Sequence, residues 1–170
     1  MIKALVHSAL FPLLIALAGA SYAQILQIER DALIALYNST DGANWTDNTG
    51  WLGETGTECN WFGVTCSSGS VSQLYFYRNG LNGTIPTELG NLTNLTSLNL
   101  LNNSLSGSIP SELSNLTNLI NLDLAHNSFS GSISASFGNL TKLTYLSLYD
   151  NSLSGTIPVS YTHLTLPTTD

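Results

Sequence analysis

The stretch "LTSLNLLNNSLSGSIPSELSNLTN", Leu95–Asn118, decides how the rest of the chain is read, because it recurs without a gap. Shifting the 170-residue sequence by 24 positions superimposes segments beginning at Val71, Leu95, Leu119 and Leu143. Leu74, Leu98, Leu122 and Leu146 fall in one column, and Phe76, Leu100, Leu124 and Leu148 in a second. Asn79, Asn103, Asn127 and Asn151 form a third, and Gly83, Gly107, Gly131 and Gly155 a fourth. A fixed period of this length means that each unit is one coil, which buries its apolar positions only against its neighbours.

The columns have physical roles. Leu98 and Leu100 alternate with period two, so both point inward while Ser97, Asn99 and Leu101 point out, which predicts one short parallel strand per coil. The Asn column follows at the bend, where a side-chain amide can pair with backbone groups that a tight turn leaves free; stacked, it becomes a ladder. Gly allows a close approach or a conformation that a Cβ obstructs. Pro86, Pro110 and Pro158 then hold the returning chain extended, with Ser134 interrupting that column. Leu89, Leu113 and Phe137, with Leu92, Leu116 and Leu140, fill the convex side of the core.

The L-x-x-L-x-L-x-x-N order resembles the leucine-rich-repeat family, and the half typified by "SGSIPSELSNL", Ser106–Leu116, resembles its plant-type subclass. The resemblance covers residues 24–158. It implies an α/β repeat solenoid, a horseshoe with short parallel strands on the concave face and a helical amino-terminal cap. Four repeats occupy 71–158 and the cap 24–70. In the cap, Ile25, Ile28, Ala32, Leu33, Ala35 and Leu36 come close to helical spacing, and Trp45, Trp51 and Trp61 add bulk.

The only cysteines stand in "CNWFGVTC", Cys59–Cys66. Such a pair can be a redox couple, half a metal site or a staple. Thiol redox motifs and zinc sites favour C-x-x-C spacing, which is absent here, and no His or Cys pair completes a set of four ligands. The segment resembles the C-x-W-x-G-V-x-C signature of plant-type caps, and that resemblance implies a Cys59–Cys66 disulfide.

The first residues, "MIKALVHSALFPLLIALAGASYAQ", place Lys3 before an apolar run from Ala4 to Ala18 and end in small residues. This is the order of a secretory signal peptide, 1–23, with cleavage after Ala23. A membrane span needs about 20 apolar residues, and this run is shorter and holds His7, Ser8 and Pro12. Secretion would place the cysteines in an oxidising compartment. After Pro158 the columns fail, and "VSYTHLTLPTTD", 159–170, reads as a non-repeat tail of artefactual character that ends a fragment of a longer protein.

Charged residues make up 9% of the chain and the net charge is −7, with four Lys and Arg in all. Nucleic acid is excluded as a partner, because it requires a basic stripe. No nucleophile elbow, zinc-protease helix or phosphate loop occurs, and the carboxylates are scattered singly. The expectation is therefore a non-enzymatic module without cofactor or metal.

Residues facing out of the strands form the expected binding surface: Tyr75, Tyr77, Arg78, Asn99, Leu101, Asp123, His126, Tyr145, Tyr149 and Asp150. Gln73, Ser97, Asn102, Asn121, Ala125 and Ser147 complete the same columns. Tyrosines provide contact area and a hydroxyl at small entropic cost. The family resemblance implies a protein or peptide ligand on this face, as in receptor-like ectodomains; a secreted cell-wall hydrolase or a polysaccharide would be the partner of an inhibitor or an adhesive protein. Sequons at Asn38, Asn44, Asn82, Asn91, Asn94, Asn102, Asn115 and Asn139 are glycosylation candidates in a eukaryotic secretory pathway, although "GNLT" is also repeat grammar.

Overall fold

The computed structural model describes residues 25–155. The expected signal peptide, the tail and the last positions of the fourth repeat lie outside the described residues. The cap opens with helix α1 (Gln27–Ser39), which buries Ala32, Leu33 and Leu36. Asp41, in the left-handed region at φ 59°, turns the chain away at its end. Strand β1 (Val64–Ser67) follows and folds back on β2 (Ser70–Tyr75) as an antiparallel hairpin. Ser68 and Gly69 make the turn with positive φ, the geometry that two-residue hairpins favour.

From β2 onward each coil adds a short parallel strand: β4 (Ser97–Asn99), β6 (Asn121–Asp123) and β8 (Tyr145–Ser147). Their order is β1-β2-β4-β6-β8, and the Leu74, Leu98, Leu122 and Leu146 column lies in register at the repeat period. A second parallel sheet is formed by β3 (Asn82–Gly83), β5 (Ser104–Ser108), β7 (Ser128–Ser132) and β9 (Ser152–Ser154). The sequence columns imply an extended return here and display no pairing for it. Here Asn82 faces Ser104 and Ser106 faces Ser128, so these strands are sheared by two residues per coil relative to the first sheet. Each coil closes through a 3₁₀ turn, at Thr87–Asn91, Ser111–Asn115 and Ala135–Asn139. Pro86 and Pro110 precede the first two, and Ser134 caps the third by accepting from Ser136 N.

The core is one continuous column of leucines, with Phe76, Phe129 and Phe137 at three of its steps. Over its first coil sits an aromatic plug. Trp45 and Trp51 pack against Phe76 with ring centroids 5.2 and 5.8 Å away, and Trp61 packs on Trp51 at 4.9 Å. Each buried indole N–H is satisfied: Trp45 donates to Thr40 O, Trp51 to Phe62 O and Trp61 to Thr57 Oγ1. Cys59 and Cys66 are bonded, tying the loop beneath Trp61 to β1. Arg30 pairs with buried Glu58 and lies over Trp61, 5.1 Å from the ring centroid. The cap thus covers the open end of the leucine stack and supplies an antiparallel strand along the sheet edge.

Candidate functional site

The Asn column determines how the strand residues are presented. Asn103 Oδ1 accepts from Asn79 N and Leu81 N at 3.1 and 3.0 Å, while its Nδ2 donates to Phe76 O and Leu100 O at 2.7 and 2.9 Å. Asn127 repeats the pattern through Leu105 N, Leu100 O and Leu124 O, and Asn151 through Phe129 N, Leu124 O and Leu148 O. Each amide therefore links its own bend to the preceding coil. Asn79 has no coil before it and uses the cap instead: its Oδ1 accepts from Asp47 N and its Nδ2 donates to Asp47 O. Hydrogen bonds from Thr49 N and the Thr49 hydroxyl hold the Asp47 carboxylate below the usual range.

Just before each ladder Asn, the chain bends at Arg78, Asn102, His126 and Asp150, all at φ between 51° and 60°. Sequence reading placed these four among the outward strand residues. They sit instead on the left-handed bend at the lip of the sheet. His126 Nδ1 pairs with Asp150 there, and its ring stands edge-on to Tyr149 with centroids 4.7 Å apart. At the opposite end, Tyr75 and Tyr77 lie 6.5 Å apart and the Arg78 guanidinium is 5.2 Å from the Tyr77 centroid.

Between these two aromatic groups lies a cleft of about 310 Å³, walled by Tyr75 and Tyr145 and floored by Ser97, Asn99, Asn121 and Asp123. The floor departs from the expectation of solvent-facing residues. Asn99 is half-buried and its Oδ1 accepts from Leu101 N; Leu101 is half-buried too. Ala125 and Ser147 are buried, and Asp123 keeps only 8% exposure. The parallel register sets Tyr75 beside Asn99, and Asn99 and Ser147 on either side of Asp123. Ser97 and Asn121 also line the cleft, although neither is among the binding residues expected from sequence; their place in the outward columns is the signal that points to them.

Elsewhere, the sequon asparagines are exposed apart from Asn102, which is half-buried on its bend. Thr40, the hydroxyl residue of the Asn38 sequon, is fully buried and donates to Leu36 O. Among the described residues, no group of three or more His, Cys, Asp or Glu is placed to hold a metal ion. No helix among them is long and apolar enough to cross a membrane.

Stacked coils with a parallel inner sheet, an asparagine ladder and an aromatic, disulfide-tied cap define a leucine-rich-repeat solenoid of the plant type. The Leucine Rich Repeat family model matches residues 70–92, 94–116, 118–140 and 142–164, and the chain belongs to that family. Among solved structures, the chain is similar to the ectodomain of the receptor kinase SOBIR1 from Arabidopsis thaliana. That match has 30% identity over 79% of this chain and 73% of that one, with a TM-score of 0.67. It is also similar to PEPR1 in its complex with AtPEP1, at 36% identity over 79% of this chain and a TM-score of 0.74. The Arabidopsis receptor kinase HAESA ectodomain, solved with an IDA peptide hormone ligand, matches at 33% identity over 81% of this chain and a TM-score of 0.68. The chain spans 19% of the PEPR1 chain and 23% of the HAESA chain.

Proposed function

We propose that the chain is a ligand-recognition segment of a secreted or cell-surface receptor-like protein, binding a protein or peptide on its concave sheet. The observation that carries this reading is where exposed apolar area lies. Of the eight large hydrophobic residues left exposed among the described ones, four are Tyr75, Tyr77, Tyr145 and Tyr149 on this face, at 38–56% exposure. Exposed aromatics gathered on one face, rimmed by polar groups, are the usual anchors of a protein interface. Similarity to ectodomains solved with a bound peptide hormone supports the same reading. Asp123, His126 and Asp150 would tune which partner is accepted, with Arg78, Asn99 and Leu101 along the contact.

The test is selection of binders from a random dodecapeptide display library on the full chain, followed by titration of selected peptides against variants. Each tyrosine that acts as an anchor should cost about 2 kcal/mol or more when changed to Ala, roughly thirtyfold in Kd. The convex variants Thr87→Ala and Ser111→Ala should bind as wild type. Loss in the convex variants with no loss in the tyrosine variants refutes the concave site.

A further inference from the structure

Asp123 carries a charge that the fold does not use. Asn99 stands in the same column one repeat earlier, and its Oδ1 accepts from Leu101 N at 3.1 Å. Asp123 makes the same closure, its Oδ1 accepting from Ala125 N at 3.2 Å. A neutral amide therefore suffices for the backbone, and the carboxylate's charge is surplus to it. That charge is also badly placed for water, because Asp123 is 8% exposed and burial penalises an unpaired ion. The ion pairs among the described residues are Arg30–Glu58 and His126–Asp150, so Asp123 has no cation of its own.

Its in-register neighbour on β8 is Ser147, which is 1% exposed. Ser147 Oγ is the one buried side-chain polar atom without a hydrogen-bond partner among the described residues. The cleft floor and its margin thus hold an uncompensated negative charge beside an unspent hydroxyl. The walls, Tyr75 and Tyr145, stand on β2 and β8, three strand spacings or about 14 Å apart. That width admits a long side chain entering between the rings.

Building on the peptide-binding reading above, we infer that the cleft between Tyr75 and Tyr145 is a subsite for one cationic side chain, Arg or Lys, of the bound peptide. The cationic head pairs with the Asp123 carboxylate, and the aliphatic stem lies along the tyrosine rings. An acidic residue at that place is repelled, and a neutral one leaves the carboxylate desolvated and unpaired, which is discrimination by a built-in penalty. The nearest charges on the lip do not compete for the cation's place: Arg78 is engaged with Tyr77, and His126 with Asp150.

The experiment uses peptides selected from the random dodecapeptide library on the full chain. The subsite requires Arg or Lys at one fixed position of the selected family. Changing that residue to Gln should raise Kd tenfold or more, as loss of a charge-assisted contact does. Asp123→Asn should weaken the parent peptide by a similar factor and bind the Gln peptide at least as tightly as wild type does, because no carboxylate is then left unpaired. It should do so without lowering the thermal midpoint, since Asn can keep the bond to Ala125 N. Glu88→Gln, which removes an exposed acid on the convex side, controls for net charge and should change Kd less than threefold. Peptides that need the tyrosines but tolerate both Gln and Asp123→Asn within threefold overturn the subsite and leave the concave site standing. An equal loss in Glu88→Gln also overturns it. If no peptide is selected, or binding ignores the tyrosine variants, the concave reading falls and the subsite with it.

Discussion

Replacing ladder asparagines by alanine should produce unequal losses of stability that follow the number of backbone groups each amide serves. Asn103→Ala removes the acceptor of two N–H groups, Asn79 N and Leu81 N, and the donor to Phe76 O and Leu100 O. Stranding a buried donor costs about 1–3 kcal/mol, and the carbonyls have other routes to partial satisfaction. Two donors at the lower part of that range give about 2–4 kcal/mol for Asn103→Ala. Asn127→Ala strands one donor, Leu105 N, because Asn103 N already has His126 O as its partner. It should cost about 1–3 kcal/mol. Asn99→Ala loses a single bond to Leu101 N at a half-buried position and should cost about 1 kcal/mol. The assay is equilibrium chemical denaturation of the three variants beside wild type, read by tryptophan fluorescence from the cap and far-UV circular dichroism from the coils. The two probes must agree, because a repeat stack can lose its two-state character. An order of Asn103, then Asn127, then Asn99 is expected. Equal midpoints for the three variants would show that the ladder does not carry the coil-to-coil coupling described above.

Two further predictions concern the junction between cap and coils. A Cβ on Gly83 would lie 2.1 Å from Ser39 O, at φ 131°, whereas one on Gly131 would meet nothing nearer than Ser108 Cβ at 3.8 Å. Gly83→Ala should therefore lose about 3 kcal/mol or more by breaking cap docking, and Gly131→Ala about 1 kcal/mol from the left-handed backbone alone. Similar thermal midpoints for the two variants would contradict this. Burial raises the pKa of Glu29, despite its bond from Leu26 N. A raised carboxyl contributes stability that is full below its unfolded value and is lost as pH rises through its folded one. Wild type should thus weaken across that interval, while Glu29→Gln should lose that dependence and be at least as stable at neutral pH. Parallel pH profiles of the two midpoints would refute the assignment.

The repeat, the inward leucines, the asparagine column and the helix of the cap were legible in the sequence because each is a property of a single coil or segment. A period states which residues are equivalent, and period-two alternation states which of them face the core. The disulfide followed from resemblance to a cap signature, not from spacing. The β1–β2 hairpin lies outside what the period displays, although "SSGS", Ser67–Ser70, is a turn signal, because β1 belongs to the cap and has no equivalent in the repeats.

Equivalence in sequence did not mean equivalence in space, and that difference belongs to the tertiary structure. Gly83 and Gly131 share a column, yet only Gly83 meets the carbonyl end of α1. Asn79 shares the ladder's column but closes on Asp47, because the cap stands where a preceding coil would be. Asn99 and Asp123 share a strand position and a backbone bond, yet Asp123 brings a charge under cover while Asn99 does not. The return strands pair with a two-residue shear that no column displays. The sequence by itself determined the coil, since a coil's shape depends on residues close along the chain. Which equivalent positions became buried, strained or available to a ligand depended on the side chains of adjoining coils, and only stacking them brought those together.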